Sequence, residues 1–521
     1  MATLKDDLCT QGFELIETHI SWVFVGKTEV FKVKRPVNLG FLDFSTVEKR
    51  HSACLAEVQL NSRLAPDVYR SVVPVTRDAH GAHSLSGEGS TVDWAVRMRR
   101  LREEDRADVR LEEGKLGIED VRRLARHVAD FHAHASSDAE TRRHGEVDAI
   151  RRNVVENFEQ TLDSIHHYLS PAQAEEVKAW QLAELDDVTR FSARTRADRI
   201  RDGHGDLRLE HVYFGRTGDI SIIDCIEFNE RFRYADVCAD VAFLSMDFAW
   251  HGHVDLAEHL LAHYAWESDD YDLYSVVNFY ESYRAFVRGK ISALLADDAE
   301  VSADARQRAR RDARRYFVLS LAFERPPLET PRVVAVGGSI ASGKSTVARY
   351  TGELLAAPVI STDRTRKRLA GRVPSDSMRS RPWSGEYSEG ATRRVYEEVL
   401  RRADVVVRSG RPVVLDASFR SSESRCAAHG VAERLGVPFT FVECKAPREL
   451  CLERLERRER SGTHDSDARS DLLDSFEARY EPIAEPPPWD CLRVDTSLPV
   501  DRNRRLVAEA LAREPSWQSP T

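Results

Sequence analysis

Gly338, Gly343, Lys344 and Ser345 stand in the spacing G-x-x-x-x-G-K-[ST], inside the stretch PRVVAVGGSIASGKST that runs from Pro331 to Thr346. Glycines in such a loop let backbone N–H groups turn inward around phosphate oxygens, and a helix N-terminus behind them adds positive potential. Lysine at the end of the motif reaches the β- and γ-phosphates, and the hydroxyl after it holds a divalent cation. The loop must be held between a strand and a helix. The β-branched run Val333–Val336 supplies the first, and the spacing of Val347, Ala348, Tyr350 and Leu354 supplies the second. The expected cradle is Gly338, Ser339, Ile340, Ala341, Ser342, Gly343, Lys344, Ser345 and Thr346, with a nucleoside triphosphate as ligand.

A second constellation lies earlier in the chain. His204-Gly205-Asp206-Leu207 is followed by His211, then by a turn at Gly215–Asp219, and then by an apolar strand from Ile220 that ends at Asp224. This order resembles the catalytic loop and metal aspartate of the kinase-like aminoglycoside phosphotransferases, whose loop reads H-G-D-[LH]-x-x-x-N. The resemblance covers roughly residues 15–320. It implies ATP and Mg²⁺, with Asp206 accepting or orienting the proton of an acceptor hydroxyl and Asp224 holding the cation. His204 then braces the loop. Lys32 or Lys34 stands where a lysine binds the α/β-phosphates, Glu57 where a helix glutamate pairs with it, and Val96–Leu101 beside the adenine. This chain departs from the family at His211, where an imidazole replaces an amide. Imidazole is a borderline ligand, so Mn²⁺ becomes possible beside Mg²⁺. A full G-x-G-x-x-G loop is also missing; only Gly26 stands in that region. Asp236 and Asp240 are read as structural anchors.

After the phosphate loop, Pro358–Asp363 and Pro412–Asp416 are apolar strands ending in carboxylates, and Phe439–Cys444 and Cys491–Thr496 are two further strands. Strands alternating with helices predict a doubly wound α/β domain, in which active groups gather at the carboxyl ends of the strands. Asp363 is expected one strand over from the phosphate loop, placed to orient an acceptor, and Asp416 beside the cation that Ser345 holds. Asp416 is followed by Ala417 rather than by a second acid, which favours transfer to a hydroxyl over hydrolysis. A helix then carries Arg448, Arg454, Arg457, Arg458 and Arg460 into Ser461–Asp467. Arg454, Arg457 and Arg458 fall on the face away from Leu452, as in an arginine-bearing lid that closes on phosphates, with Arg454 and Arg458 as catalytic candidates. The alternative is an ordinary charged helix in which Glu453, Glu456 and Glu459 are the partners. Residues 331–521 resemble P-loop small-molecule kinases of the gluconate-kinase-like and zeta-toxin-like kinds, which implies Asp363 as the acceptor-side base.

The elements that must position these groups divide a chain of 521 residues, too long for one core. The seam is Glu324–Pro331, with three prolines in eight residues. The expected architecture is α/β and multidomain. A bilobal, kinase-like α+β domain spans 1–323, with an N-lobe to about residue 100 and a C-lobe from about 101, then a linker at 324–331 and a doubly wound P-loop kinase domain at 332–521. In the N-lobe, residues 18–36 read as a hairpin in which Lys32 and Lys34 share one strand face. Residues 46–64 read as the helix carrying Glu57, and Val92–Leu101 as a strand. The basic run Arg306–Arg315 reads as a solvated helix face.

Composition narrows the classes. A net charge of −10 argues against a broad nucleic-acid surface, and no apolar run is long enough for a transmembrane helix. The N-terminus lacks an apolar signal core. Eight scattered cysteines without C-x-x-C fit reduced thiols in the cytoplasm. The order of the two halves resembles bacterial fusions of an aminoglycoside phosphotransferase-like domain with an ATP-binding domain. The expected activity is transfer of the γ-phosphoryl group of ATP to a hydroxyl of a small molecule. Two alternatives stay open: a nucleotide-sensing regulator whose kinase-like half does not turn over, and a nucleotide-sugar or polynucleotide kinase.

Overall fold

The computed structural model describes residues 3–18, 20–38, 42–299, 301–322, 328–372, 385–461, 470–483 and 489–512. The Glu324–Pro327 part of the proline-rich seam and the Gly462–Asp467 end of the arginine-bearing segment lie outside the described residues. Two compact units form, Met1–His253 with Phe279–Phe323, and Val254–Asn278 with Glu324–Thr521. Among the described residues no helix is long and apolar enough to cross a membrane.

The first unit begins with strands β1 (Glu14–Glu17), β2 (Ser21–Val25), β3 (Glu29–Lys34), β4 (Tyr69–Arg77), β5 (His83–Leu85) and β6 (Ser90–Arg99). They form one antiparallel sheet in the order β1-β2-β3-β6-β4-β5. Alternation along β3 sends Phe31 and Val33 into a core with Leu8, Phe24, Val75 and Ala95. Lys32 and Lys34 therefore point to the other face. That face is covered by helix Val47–Asn61, which starts at the N-cap Thr46 and packs through Cys54 against Val96 and Met98. Glu57 is buried on this helix, so the strand's period of two and the helix's position bring the lysines and the glutamate together.

The rest of the unit is mainly helical, with two small ribbons. Strand β7 (Ile200–Asp202) pairs with β10 (Tyr234–Asp236), and β8 (Val212–Phe214) with β9 (Ile220–Ile222). The loop between β7 and β8 holds His204–His211, and β9 delivers Asp224. The helix Val237–Trp250 after β10 is almost wholly buried. As read from the sequence, two aspartates anchor this region. Asp236 accepts from Nε and Nη2 of buried Arg194 at 2.8 and 2.7 Å. Asp240 accepts the N–H groups of His204 and Gly205 at 2.7 and 2.9 Å.

In the second unit β11 (Val333–Gly338), β12 (Val359–Ser361), β13 (Val413–Asp416), β14 (Phe439–Lys445) and β15 (Asp490–Asp495) form a parallel sheet in the order β12-β13-β11-β14-β15. Every residue of β11 and β13 is buried, as expected for strands covered on both faces. Helices Lys344–Leu355 and Val500–Leu511 pack on one face, through Val347, Tyr350, Val507 and Leu511. Helices Glu389–Arg408 and Ser422–Leu435 cover the other. The sheet is doubly wound.

One boundary differs from the sequence reading. Residues Val254–Asn278 group with the second unit rather than with the segments on either side of them. Charge pairs are among the contacts that join this segment to the rest of its unit. Arg402 donates to both oxygens of Asp269 at 2.8 and 3.0 Å, and Arg401 pairs with Asp272 at 2.7 Å. Arg411 pairs with Glu258 at 2.5 Å and donates to Asn278 at 2.7 Å.

Candidate active sites

The phosphate loop is shaped by its small residues. Gly338 sits at φ 141°, and a Cβ there would lie 2.3 Å from the carbonyl oxygen of Cys444. Gly343 sits at φ 88°, against Thr496. Between them Ala341 adopts φ 58°, a conformation that costs a non-glycine residue energy and recurs at functional loops. Lys344 folds back, and its Nζ donates to the Ser339 carbonyl oxygen at 2.7 Å. The hydroxyl oxygens of Ser339 and Ser342 are buried without a protein partner. Orphaned hydroxyls in a loop that only glycines can close fit a bound phosphate.

The Ser345 hydroxyl is hydrogen-bonded to Asp416, the last residue of β13 and 7% exposed. Burial pushes the Asp416 carboxyl up to about 6, against the pull of the Lys344 ammonium and the Ser345 hydroxyl. Burial likewise lowers Lys344, opposed by Asp416 and Asp363. These three charged groups therefore share one site. The hard oxygens of Ser345 and Asp416 suit Mg²⁺, which takes one or two carboxylates and fills its remaining positions with phosphate and water. Among the described residues no group of three or more His, Cys, Asp or Glu could hold a metal.

Two expectations about this site need correction. Asp363 lies two strands from the phosphate loop rather than one, because β13 with Asp416 lies between β12 and β11. It is the second residue of helix Thr362–Leu369, held near Asp416 by a Thr362 hydroxyl that donates to the Asp416 carbonyl oxygen at 3.2 Å. Arg454, read as part of a lid, instead braces the loop from below. Its Nη1 donates to the Ala341 carbonyl oxygen and the Thr496 hydroxyl at 3.1 and 3.0 Å, and its Nη2 to the Thr496 carbonyl oxygen at 2.7 Å. Arg458 is the arginine that faces the carboxylates. Burial and the neighbouring Arg454 lower it, while Asp363 and Asp416 act to raise it.

The loop after β13 was not singled out in the sequence. Phe419 is buried at φ 44°, its N–H donates to the Tyr396 hydroxyl at 3.0 Å, and the Gly338 N–H donates to the Ser418 carbonyl oxygen at 3.1 Å. An apolar strand ending Asp-Ala-Ser-Phe-Arg carries no local sign of that strain.

In the first unit, Lys32 Nζ lies 2.5 Å from Asp224 Oδ1 and 2.9 Å from Glu57 Oε1. Lys34 is fully buried, with Nζ 2.5 Å from Glu57 Oε2, and also pairs with Glu227. Lys32 is thus the lysine that reaches the candidate metal carboxylate, and Lys34 stands behind the glutamate. Burial acts to raise the Asp224 carboxyl, but Lys32 and His211 hold it well below the carboxylate range.

His204 is fully buried, and burial pushes it down to about 4, so it is neutral. Its Nε2 donates to the Ile223 carbonyl oxygen at 3.0 Å, and its Nδ1 accepts the Asp206 N–H at 3.3 Å. It ties the loop to the strand that delivers Asp224. His211 Nδ1 donates to the Asp206 carbonyl oxygen at 2.8 Å, which leaves Nε2 facing Asp224 Oδ2 at 3.7 Å. This tautomer fits a metal beside Asp224. Arg208, Glu227, Asn61 and Tyr69 also belong to this site and were not read from the sequence. Arg208 and Glu227 each sit within three residues of a motif aspartate, a signal that charge spacing could have flagged.

The AAA domain family matches residues 333–483. Rv2004c and MT2060 of Mycobacterium tuberculosis (strains H37Rv and CDC 1551) and Mb2027c of Mycobacterium bovis are each 31% identical to this chain over 494 residues, 94% of this chain and 93% of theirs. The chain belongs to the Rv2004c family. The match spans residues of both units. Among solved structures, a gluconokinase from Sinorhizobium meliloti is similar at TM-score 0.26 and 22% identity, over 35% of this chain and 93% of that one. Amicoumacin kinase hAmiN, in complex with AMP-PNP, Ca²⁺ and Ami, is similar at TM-score 0.34 and 10% identity, over 59% of this chain and 88% of that one.

Proposed function

We propose that this member of the Rv2004c family is an ATP-dependent phosphotransferase that moves the γ-phosphoryl group to a hydroxyl of a small molecule. The observation that carries the reading is the convergence of Lys344, Asp416 and Asp363 at one end of the parallel sheet. The phosphate loop binds the triphosphate, with Lys344 against its outer oxygens. Ser345 and Asp416 would hold Mg²⁺, which supplies charge neutralisation across the phosphates. Asp363 takes the proton of the acceptor hydroxyl as the acceptor oxygen bonds to the γ-phosphorus. The bond from that phosphorus to the bridging oxygen breaks, and ADP leaves. Arg458, facing Asp363 and Asp416, is the side chain placed to meet charge on the transferring group. The N-terminal unit is read as a kinase-like fold with its own nucleotide site at Lys32, Glu57 and Asp224.

The test uses γ-labelled ATP with a panel of sugars and metabolites. K344A is expected to reduce transfer by this site about 10²-fold or more, because phosphate charge loses its partner. D363N is expected to keep ATP binding and lose about 10²–10⁴-fold in transfer. Transfer unchanged in K344A would remove the C-terminal site from the reaction.

A second reading, a nucleotide sensor whose N-terminal half does not turn over, is favoured by one observation. Both oxygens of Asp206 are held by Arg208, at 2.9 and 3.0 Å. Acceptor-dependent ADP release by the unmutated full chain separates the two readings, because the sensor releases none.

A further inference from the structure

Arg208 is 8% exposed, and its guanidinium holds several groups at once. Nε and Nη2 donate to Oδ1 and Oδ2 of Asp206 at 2.9 and 3.0 Å. Nη2 also lies 3.4 Å from Nε2 of His211, and Nη1 pairs with Glu210. One side chain thus covers both the carboxylate expected to meet the acceptor proton and the ring nitrogen expected to face the cation. Arg288, on helix Val277–Asp297, acts electrostatically on Asp206, Glu210 and Asp247, and its Nε is buried without a protein partner.

Arg208 fills the open fork of Asp206 and competes with an acceptor hydroxyl for it. A guanidinium does not shed its proton, and release of Asp206 leaves Glu210 on Nη1 as its remaining ion pair, with Nε buried and unpartnered, which is unfavourable. A neutral acceptor offers no replacement partner, and a cationic one adds repulsion. An anionic acceptor offers a fork-shaped match. We propose that the N-terminal site takes an acceptor bearing an anionic group, phosphate, sulfate or carboxylate, beside its hydroxyl. Arg208 exchanges Asp206 for that group, and Arg288 is the second contact. The inference rests on the kinase reading of this unit.

Calorimetric titration of full-length K344A, whose phosphate loop is disabled, tests it with four probes: inorganic phosphate, sulfate, acetate and kanamycin. Binding of at least one anion is expected, and the anion that binds names the group. R208Q in the K344A background should weaken that binding tenfold or more, R208K should retain part of it, and R288Q should weaken it threefold or more. If R208Q does not fold, R208K and R288Q carry the test. Anion binding that is absent from K344A, or unchanged in these variants, overturns the proposal, as does kanamycin binding more tightly than every anion. AMP-PNP titrated into the same K344A protein reports on the kinase reading separately. Loss of nucleotide binding there refutes that reading, whatever the anions do.

Discussion

Lys32 and Asp224 meet directly, with Nζ 2.5 Å from Oδ1, although one lies on an N-terminal strand and the other follows a ribbon 192 residues later. The contact is held from behind. Asp224 adopts φ 66°, a left-handed conformation, and its N–H donates to the Tyr69 hydroxyl at 3.1 Å. The next N–H, of Cys225, donates to Asn61 Oδ1 at 2.8 Å. Asn61 ends the helix that carries Glu57 and Tyr69 begins β4, so lysine, glutamate and aspartate are fixed by one continuous stretch of structure.

The two lysines of β3 should respond differently to loss of charge. K32M is expected to abolish nucleotide binding by the N-terminal unit, measured in a K344A background, and to lower the melting temperature less than K34M does, because one of its two partners, Asp224, is partly exposed. Its ammonium is the one that faces Asp224, and a nucleotide would recruit it. K34M leaves Glu57 and Glu227 buried with one cation fewer. Breaking such a buried pair costs about 3–5 kcal/mol, so K34M should melt well below the parent. Equal melting temperatures for the two variants would show that Lys34 is no more structural than Lys32.

Asp416 gives a pH signature. Its folded value of about 6 lies above the ordinary carboxylate value of 3.8. Stability from such a raised group is fully present below the unfolded value and is lost as pH rises through the folded one. Nucleotide-free D416N should therefore melt higher than the parent at about pH 7.5, with the difference closing as pH falls towards about 4. Adding Mg²⁺ with AMP-PNP should reverse the order at neutral pH, because only the parent offers the cation a carboxylate. Melting curves for both proteins, with and without the ligand, check this. D416N melting lower than the parent without ligand at pH 7.5 would contradict it.

Some of this was legible in the chain and some was not, for physical reasons. The phosphate loop is a local motif, and its strand and helix flank it directly, so Gly338–Ser345 could be read without the fold. Lys32 and Lys34 could be placed on one face by the period of two. Which of them meets Asp224 depends on the position of the helix bearing Glu57 and on the turn at Asp224, both set by packing. Strand order is also non-local. Nothing in Pro358–Asp363 announces that β13 will pair between β12 and β11. The arginines at 454 and 458 share a helix and a composition, and only the path of the loop at Thr496 sends one to backbone carbonyls and leaves the other facing carboxylates.

The boundary between the units makes a prediction of its own. A fragment beginning at Pro331 lacks Glu258, Asp269 and Asp272, the partners of Arg411, Arg402 and Arg401. Arg402 and Arg411 are 6% and 7% exposed in the intact chain, against Tyr271 and Tyr274 of the segment that the fragment lacks, so the fragment loses both their partners and their cover. Residues 331–521 alone are expected to be poorly soluble or to melt early. R402M with R411M in the same fragment should recover part of the loss, because it removes the uncompensated charges. A fragment that melts cooperatively at the temperature of the C-terminal transition in the full chain would show that these pairs contribute little.

The last prediction concerns the cation at the N-terminal site. His211 donates from Nδ1 to a carbonyl oxygen, so Nε2 carries the lone pair, and it lies 3.7 Å from Asp224 Oδ2. An oxygen donor in that position would suit Mg²⁺, whereas an imidazole nitrogen is a borderline donor that favours Mn²⁺ and later metals. Arg208 Nη2 lies 3.4 Å from the same nitrogen, so a cation has to displace that contact as well. Full-length K344A is expected to bind AMP-PNP more tightly with Mn²⁺ than with Mg²⁺. H211N should shift the preference back towards Mg²⁺, since an amide oxygen replaces the ring nitrogen. R208Q should strengthen Mn²⁺-dependent binding without changing the order of the two metals, because it removes a competitor for Nε2 and leaves the donor in place. Calorimetric titration of the three proteins with each metal measures all of this. Equal affinities for both metals, unchanged in H211N, would place the cation on Asp224 and water alone.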